Sequence, residues 1–145
     1  MQTYSLTQDL RLCCFTADSF PAGVMAAFEL LHSRVPDHDG RRLFGLSWPD
    51  GKGSMIYKAA VEERYPGEAE KLGADFYTLK KGEYLGLEVN NFMDDISSIG
   101  KAFRELVDAP GVRPDTMGVE EYLNGQTVRC MVPISAELEN AWSNN

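Results

Sequence analysis

The sequence predicts an α+β domain of two layers, built from two tandem strand–helix–strand–strand units with a pocket between the halves. Three observations carry this. Short apolar alternations read as strands, two longer stretches place apolar residues at helical spacing, and the order strand, helix, strand, strand occurs twice along the chain. One such unit cannot bury its helix and both sheet faces alone. The two sheets are therefore expected side by side with both helices on one face. The opposite face, near the pseudo-twofold axis, is then expected to be a concavity. The halves span about 9–64 and about 74–134 of a single domain covering 1–145.

Leu10–Thr16 alternates Leu10, Leu12, Cys14 and Thr16 against Arg11, Cys13 and Phe15, the pattern of a buried strand. Phe20-Pro21 opens a helix with proline in its first turn. Val24, Phe28, Leu31 and Val35 then recur at helical spacing until Pro36 stops it. Arg41–Trp48 reads as a strand ended by the turn Pro49-Asp50-Gly51. Ser54–Glu63 is the next strand, with Tyr57, Ala59 and Val61 on one face. Tyr65–Gly73 reads as a polar connector, and Met1–Leu10 as polar and without a signal peptide.

In the second half, Asp75–Leu79 and Glu83–Asn90 are strands meeting at Lys80-Lys81-Gly82, a bulge or tight bend. Asp94–Asp108 is an amphipathic helix. Ile96, Ile99, Phe103, Leu106 and Val107 line one face, and Asp94 and Asp95 suit its positive N-terminal end. Ala136–Asn145 reads as a polar tail, with Trp142 as a peripheral packing residue.

The stretch Asp115–Ile134 reads as a β-hairpin, Val119–Leu123 and Thr127–Ile134, turned at Asn124-Gly125 in type I′. Glu120 and Tyr122 share one face of its first strand. On the return strand Val128, Cys130, Val132 and Ile134 form an apolar row facing the core, and Arg129 and Met131 point the other way. One face of the hairpin is thus expected to carry Glu120, Tyr122, Arg129 and Met131. If that face is covered and concave it is a site; if open, it is an ordinary polar sheet face.

Composition narrows the function classes. With 43% hydrophobic and 25% charged residues the chain is globular. Its formal net charge of −8 makes it a poor match to a phosphate backbone, so no direct nucleic-acid contact is expected. No run approaches the length of a membrane span. Three cysteines without a C-x-x-C pair point to a reducing cytoplasm and to packing roles for Cys13 and Cys14. His32 and His38 are too few for a histidine metal cage, and neither a metal nor another cofactor is expected.

FPAGVMAAFELL (Phe20–Leu31), RLFGLSW (Arg42–Trp48), KKGEYLGLEV (Lys80–Val89), IGKAFREL (Ile99–Leu106) and above all VEEYLNG followed by VRCMVPI give the chain a family likeness. In their order and spacing, from about Leu10 to Ile134, the sequence resembles the GyrI-like small-molecule-binding domains, also called AraC effector-binding domains. The resemblance implies the double strand–helix–strand–strand fold. It also implies that Glu120, followed by Tyr122, lies at the floor of an aromatic pocket that attracts cationic, hydrophobic ligands. Trp48, Tyr57 and Phe92 are candidate walls beside Tyr122. Arg129 departs from the family pattern, in which a second acid often stands on the return strand. Either it pairs with Glu120, which favours a zwitterionic or neutral ligand, or it snorkels to the rim.

The resemblance implies a stand-alone ligand sensor or sequestering protein, any regulation running through a protein partner; a homodimer is left open. A second reading, also by resemblance, is a hydrolase of strained cyclopropane-type genotoxins. Glu120 would then be its acid or base and Tyr122 or Tyr57 a hydrogen-bond donor. A third is protein inhibition through the acidic surface. Nothing in the sequence itself shows a nucleophile–base pair or a phosphate loop, so whether the protein is an enzyme is not decided at this level.

Overall fold

Eight strands form one antiparallel sheet in the order β1-β6-β8-β7-β3-β4-β2-β5. They are β1 (Gln2–Leu6), β2 (Leu10–Thr16), β3 (Leu43–Pro49), β4 (Met55–Glu62), β5 (Asp75–Leu79), β6 (Gly82–Asn90), β7 (Gly118–Tyr122) and β8 (Thr127–Pro133). Among the described residues the α-helices are α1 (Val24–Arg34), α2 (Glu68–Leu72) and α3 (Ser97–Asp108). This is a computed structural model, and it describes residues 1–113 and 115–134. The tail expected over Ala136–Asn145, with Trp142, lies outside the described residues.

The repeated element order is realised in space. β2-α1-β3-β4 places its strands as β2-β4-β3, and β6-α3-β7-β8 places its own as β6-β8-β7. The two sets join where β3 pairs with β7, Gly45 opposite Glu120. Each remaining strand sits on the far edge of the other set: β1 on β6, β5 on β2.

That exchange forces the sheet to curl. Leu6 and Leu10 are four residues apart, a reach of at most about 14 Å. A flat sheet would separate β1 from β2 by six strand spacings, about 29 Å. The Leu79–Gly82 connection between β5 and β6 has the same problem. Both connections fit only if the two ends of the sheet approach each other. At the closure the Lys81 amide donates to Asp9 Oδ1 at 2.8 Å, tying one connection to the other. The result is a half-barrel.

Strand alternation then distributes three cores. Cys13, Phe15, Ala59 and Val61 point outward under Ala27, Leu31 and Val35, with Phe28 packed against them; Phe28, Leu31 and Val35 belong to the predicted α1 stripe and Ala27 does not. Val128, Cys130 and Val132 point outward under Ala102 and Leu106 of α3, as the apolar row predicts. Leu12, Phe44, Leu46, Ala60 and Val119 point inward and are fully buried although no helix covers them. Only the curl buries that set. The expected concavity is therefore filled by a core, and this is one correction to the sequence reading.

Four local differences have physical reasons. β1 lies in the stretch expected to be merely polar; it is an edge strand that pairs on one side alone, and its inward residues Tyr4 and Leu6 are only partly buried, so little apolar alternation marks it. Within the stretch read as a connector, α2 spans five residues, too short for a helical period to show; it is fixed by Glu68, which accepts from both terminal nitrogens of Arg41 at 2.8 and 2.9 Å. α3 begins at Ser97 after a 3₁₀ turn at Phe92–Asp94, leaving Ile96 exposed. The segment Lys80-Lys81-Gly82 is no bulge within a pair, since β5 and β6 pair with different strands.

The hairpin register is the difference that matters most. Leu123 N donates to Thr127 O, so the loop has three residues, Asn124–Gln126, rather than two. Asn124 Oδ1 accepts from the amides of Gln126 and Thr127 at 2.8 and 2.9 Å, and this Asx turn replaces the expected type I′ turn. Neither Asn124 nor Gly125 has positive φ. One extra loop residue shifts the pairing by one and reassigns the faces. Glu120 opposes Cys130, and Arg129 opposes Glu121.

Candidate functional site

Glu120 sits at the middle of β7 on the outward face of the sheet, beside Gly45 on β3. α1 packs over β2 and β4, and α3 over β6 and β8. The β3–β7 seam between them is a groove whose floor is Gly45, Ser47, Gly118 and Glu120. Small residues are required there. A Cβ on Gly45 would lie 2.7 Å from Glu120 Oε1 and would collide with the Tyr57 hydroxyl. A Cβ on Gly118 would lie 2.8 Å from Ser47 Oγ and 3.0 Å from the Phe103 ring.

Two phenols converge on one carboxylate oxygen. Tyr57 Oη donates to Glu120 Oε1 at 2.8 Å, and Tyr122 Oη donates to the same atom at 2.6 Å. Oε2 accepts no hydrogen bond among the described residues, yet it is not sealed from solvent. Glu120 is 8% exposed and forms no ion pair among the described residues. Burial pushes its carboxyl above the ordinary glutamate range, while the hydroxyls of Tyr122 and Tyr57 hold it back. Burial, and next the charge of Glu120, push both tyrosines far above their ordinary values, so they stay protonated donors. Cys130 beside Glu120 is pushed up to about 12 by burial and the same charge, which makes it a packing thiol.

The walls are an aromatic arc. Phe20 stacks on Tyr57 with ring centroids 5.9 Å apart, Phe28 meets Tyr57 edge-on at 6.1 Å and Tyr122 at 5.4 Å, and Phe92 meets Tyr122 at 5.6 Å. α1 supplies Phe28 and the 3₁₀ turn before α3 supplies Phe92, so both halves contribute. Chemically, the groove is an acid with one free oxygen under ring faces and edges. It can hold a cation by charge and by cation–π attraction.

The structure brings together Glu120, Tyr122, Tyr57 and Phe92 of the residues expected from sequence. It separates three others. Arg129, Met131 and Trp48 lie on the inward face, the first two because of the one-residue register shift and Trp48 because it alternates with Ser47. Arg129 neither pairs with Glu120 nor simply snorkels: Nη2 donates to Glu88 Oε2 at 3.1 Å, and the guanidinium lies 4.2 Å over the Tyr4 ring. Met131 packs in the inner core, and Trp48 meets Tyr77 edge-on at 5.3 Å.

No family model and no curated protein matches the chain. Solved structures do. An integron cassette protein from the mobile metagenome of Vibrio cholerae, VCH_CASS2, superposes with a TM-score of 0.69 at 13% identity, covering 92% of this chain and 95% of that one. SAV2435 bound to tetraphenylphosphonium gives 0.64 at 16% identity, covering 95% of each chain. The C-terminal domain of EcmrR gives 0.62 at 8% identity, covering 92% and 97%. The chain has the GyrI-like fold.

Within the GyrI-like fold, sequence reasoning missed Phe20, Phe28, Gly45 and Ser47 as groove residues. Phe28 carried a signal of helical spacing only, which assigned it to packing. Gly45 carried a better one: an isolated glycine inside a strand pattern marks a close approach, here by Tyr57 and Glu120.

Proposed function

We propose that the protein binds cationic, hydrophobic aromatic small molecules in the groove between α1 and α3, as a sensor or sequestering domain akin to regulator effector domains. Glu120 carries the reading. A buried carboxylate with no cation beside it is costly to ionise, and a bound cation supplies the missing partner. Tyr57 and Tyr122 orient it, and Phe20, Phe28 and Phe92 give the ligand rings something to lie against. The tetraphenylphosphonium bound by SAV2435, a lipophilic cation on a shared fold, supports the ligand class. Three free, buried cysteines support a cytoplasmic setting, and no helix among the described residues is long and apolar enough to cross a membrane.

Calorimetric titration with tetraphenylphosphonium tests the proposal. Saturable binding is expected, weakened at least about tenfold in Glu120→Gln, a loss of about 1.4 kcal/mol or more. Equal affinity in the variant would remove Glu120 from the site. A thermal shift gives the same comparison, since ligand at 100 times Kd adds about 2.7 kcal/mol of stability.

A further inference from the structure

The floor of the groove carries a second polar side chain that the binding of a cation does not require. Ser47 stands two residues along β3 from Gly45, opposite Gly118 on β7 and opposite Tyr57 on β4. Side chains alternate along a strand, so Ser47 shares the outward face with Glu120. Ser47 is only 9% exposed, and its hydroxyl makes no hydrogen bond among the described residues. Like Glu120 Oε2, it is not sealed from solvent. Its neighbour Tyr57 donates to Glu120 instead, at 2.8 Å, and Gly118 has no side chain to offer.

The walls at this level are rings. A Cβ on Gly118 would meet both Ser47 Oγ and the Phe103 ring of α3, so hydroxyl and ring overhang the same glycine. On the other side stands Tyr57, with Phe20 stacked on it. A hydroxyl so deeply buried is expected to be paired, and unpaired it costs more than a methyl group of similar size. Its partner is therefore something that enters the groove. Ser47 Oγ and Glu120 Oε2 are two open polar atoms on one floor. Their residues are diagonal neighbours across the seam, about 7–8 Å apart at the backbone. The carboxylate oxygen takes a cation, whereas the hydroxyl donates to or accepts from an uncharged polar atom. Tyr57 spans the interval, standing beside Ser47 with its hydroxyl on Glu120, so an aryl ring laid along it joins the two positions.

Resting on the proposed cation site, we propose that Ser47 determines specificity within it: among hydrophobic cations the groove selects those that carry a neutral hydrogen-bonding group, a hydroxyl or carbonyl, about one aryl ring from the positive centre. Glu120 sets the charge of the ligand, and Ser47 sets where along its length the ligand is polar. Tetraphenylphosphonium has no such group and engages Glu120 alone.

Calorimetric titration with two cations of the same shape tests it: para-hydroxymethylphenyl-triphenylphosphonium and para-ethylphenyl-triphenylphosphonium, in which a hydroxyl replaces a methyl group. The quantity read is the ratio of their affinities, which cancels any general weakening of the groove. Removing the hydroxyl in Ser47→Ala should shift that ratio about fivefold against the hydroxymethyl compound, the size of one net hydrogen bond. Glu120→Gln should weaken both cations alike and keep the ratio of the parent. An unchanged ratio in Ser47→Ala, with both cations still dependent on Glu120, would overturn this proposal and leave the cation site standing, Ser47 being then only a hydrated floor residue. Failure of both cations to bind the parent would overturn the two proposals together.

Discussion

Gly45 stands directly opposite Glu120 across the β3–β7 seam, and the space its side chain would fill is occupied by the Tyr57 hydroxyl and the Glu120 carboxylate. The two halves of the molecule meet at this pair. Any side chain at Gly45 separates the phenol from the acid.

Gly45→Ala is therefore expected to cost about 1–3 kcal/mol through overpacking and to weaken tetraphenylphosphonium binding by displacing Tyr57. Urea unfolding and calorimetric titration check the two effects separately. Alanine tolerated at full stability and affinity would show that the close approach has no consequence.

Tyr57→Phe and Tyr122→Phe each remove one hydrogen bond to Glu120 Oε1. Each is expected to destabilise by about 1–2 kcal/mol and to raise the Glu120 pKa further, because these hydroxyls favour the ionised form. Cation affinity should then fall at mildly acidic pH before it falls at neutral pH. A pH series of titrations on the two variants measures this, and a parallel profile in parent and variant would contradict it.

The pH dependence of stability has a definite sign. Folding raises the Glu120 pKa above its ordinary value, so the folded protein holds this proton more tightly than the unfolded chain. Its contribution is greatest below the ordinary glutamate pKa and is lost as pH rises through the raised value. Glu120→Gln is expected to flatten that fall, shown by urea unfolding from pH 4 upward. Cation binding should release a proton within the same window, visible as a buffer-dependent heat in the parent but not in Glu120→Gln.

Glu68 and Arg41 form a pair whose side chains are 7% and 3% exposed. Glu68 also accepts from the Arg64 amide at 2.9 Å, so α2, β4 and the loop after α1 meet there. Glu68→Ala leaves the buried guanidinium with Asp37 as its remaining acidic partner. A loss of about 3 kcal/mol is expected, with early exchange of the α2 amides. A loss below 1 kcal/mol would show that the pair is not what anchors α2.

The sequence by itself determined the elements whose signal is local. Alternation placed β2, β4 and β8, helical spacing placed α1 and α3, and the apolar row Val128, Cys130 and Val132 faces a core, as its pattern predicts. The family likeness marked Glu120 and Tyr122 as site residues and offered Trp48, Tyr57 and Phe92 as candidate walls, of which Tyr57 and Phe92 stand beside them.

Tertiary structure decided which side of the sheet each residue serves. One extra residue in the Asn124–Gln126 loop moved Arg129 and Met131 to the far face, because side chains alternate with a period of two and register is set at the turn. The curl of the sheet was equally hidden. It follows from β1 and β5 exchanging edges through connections of a few residues, and those pairings are between strands distant in sequence. Because of it the concave face is a packed core, and the acid lies outside, on the seam between two helices. No local pattern encodes that, since it is fixed by which strands meet rather than by what each strand contains.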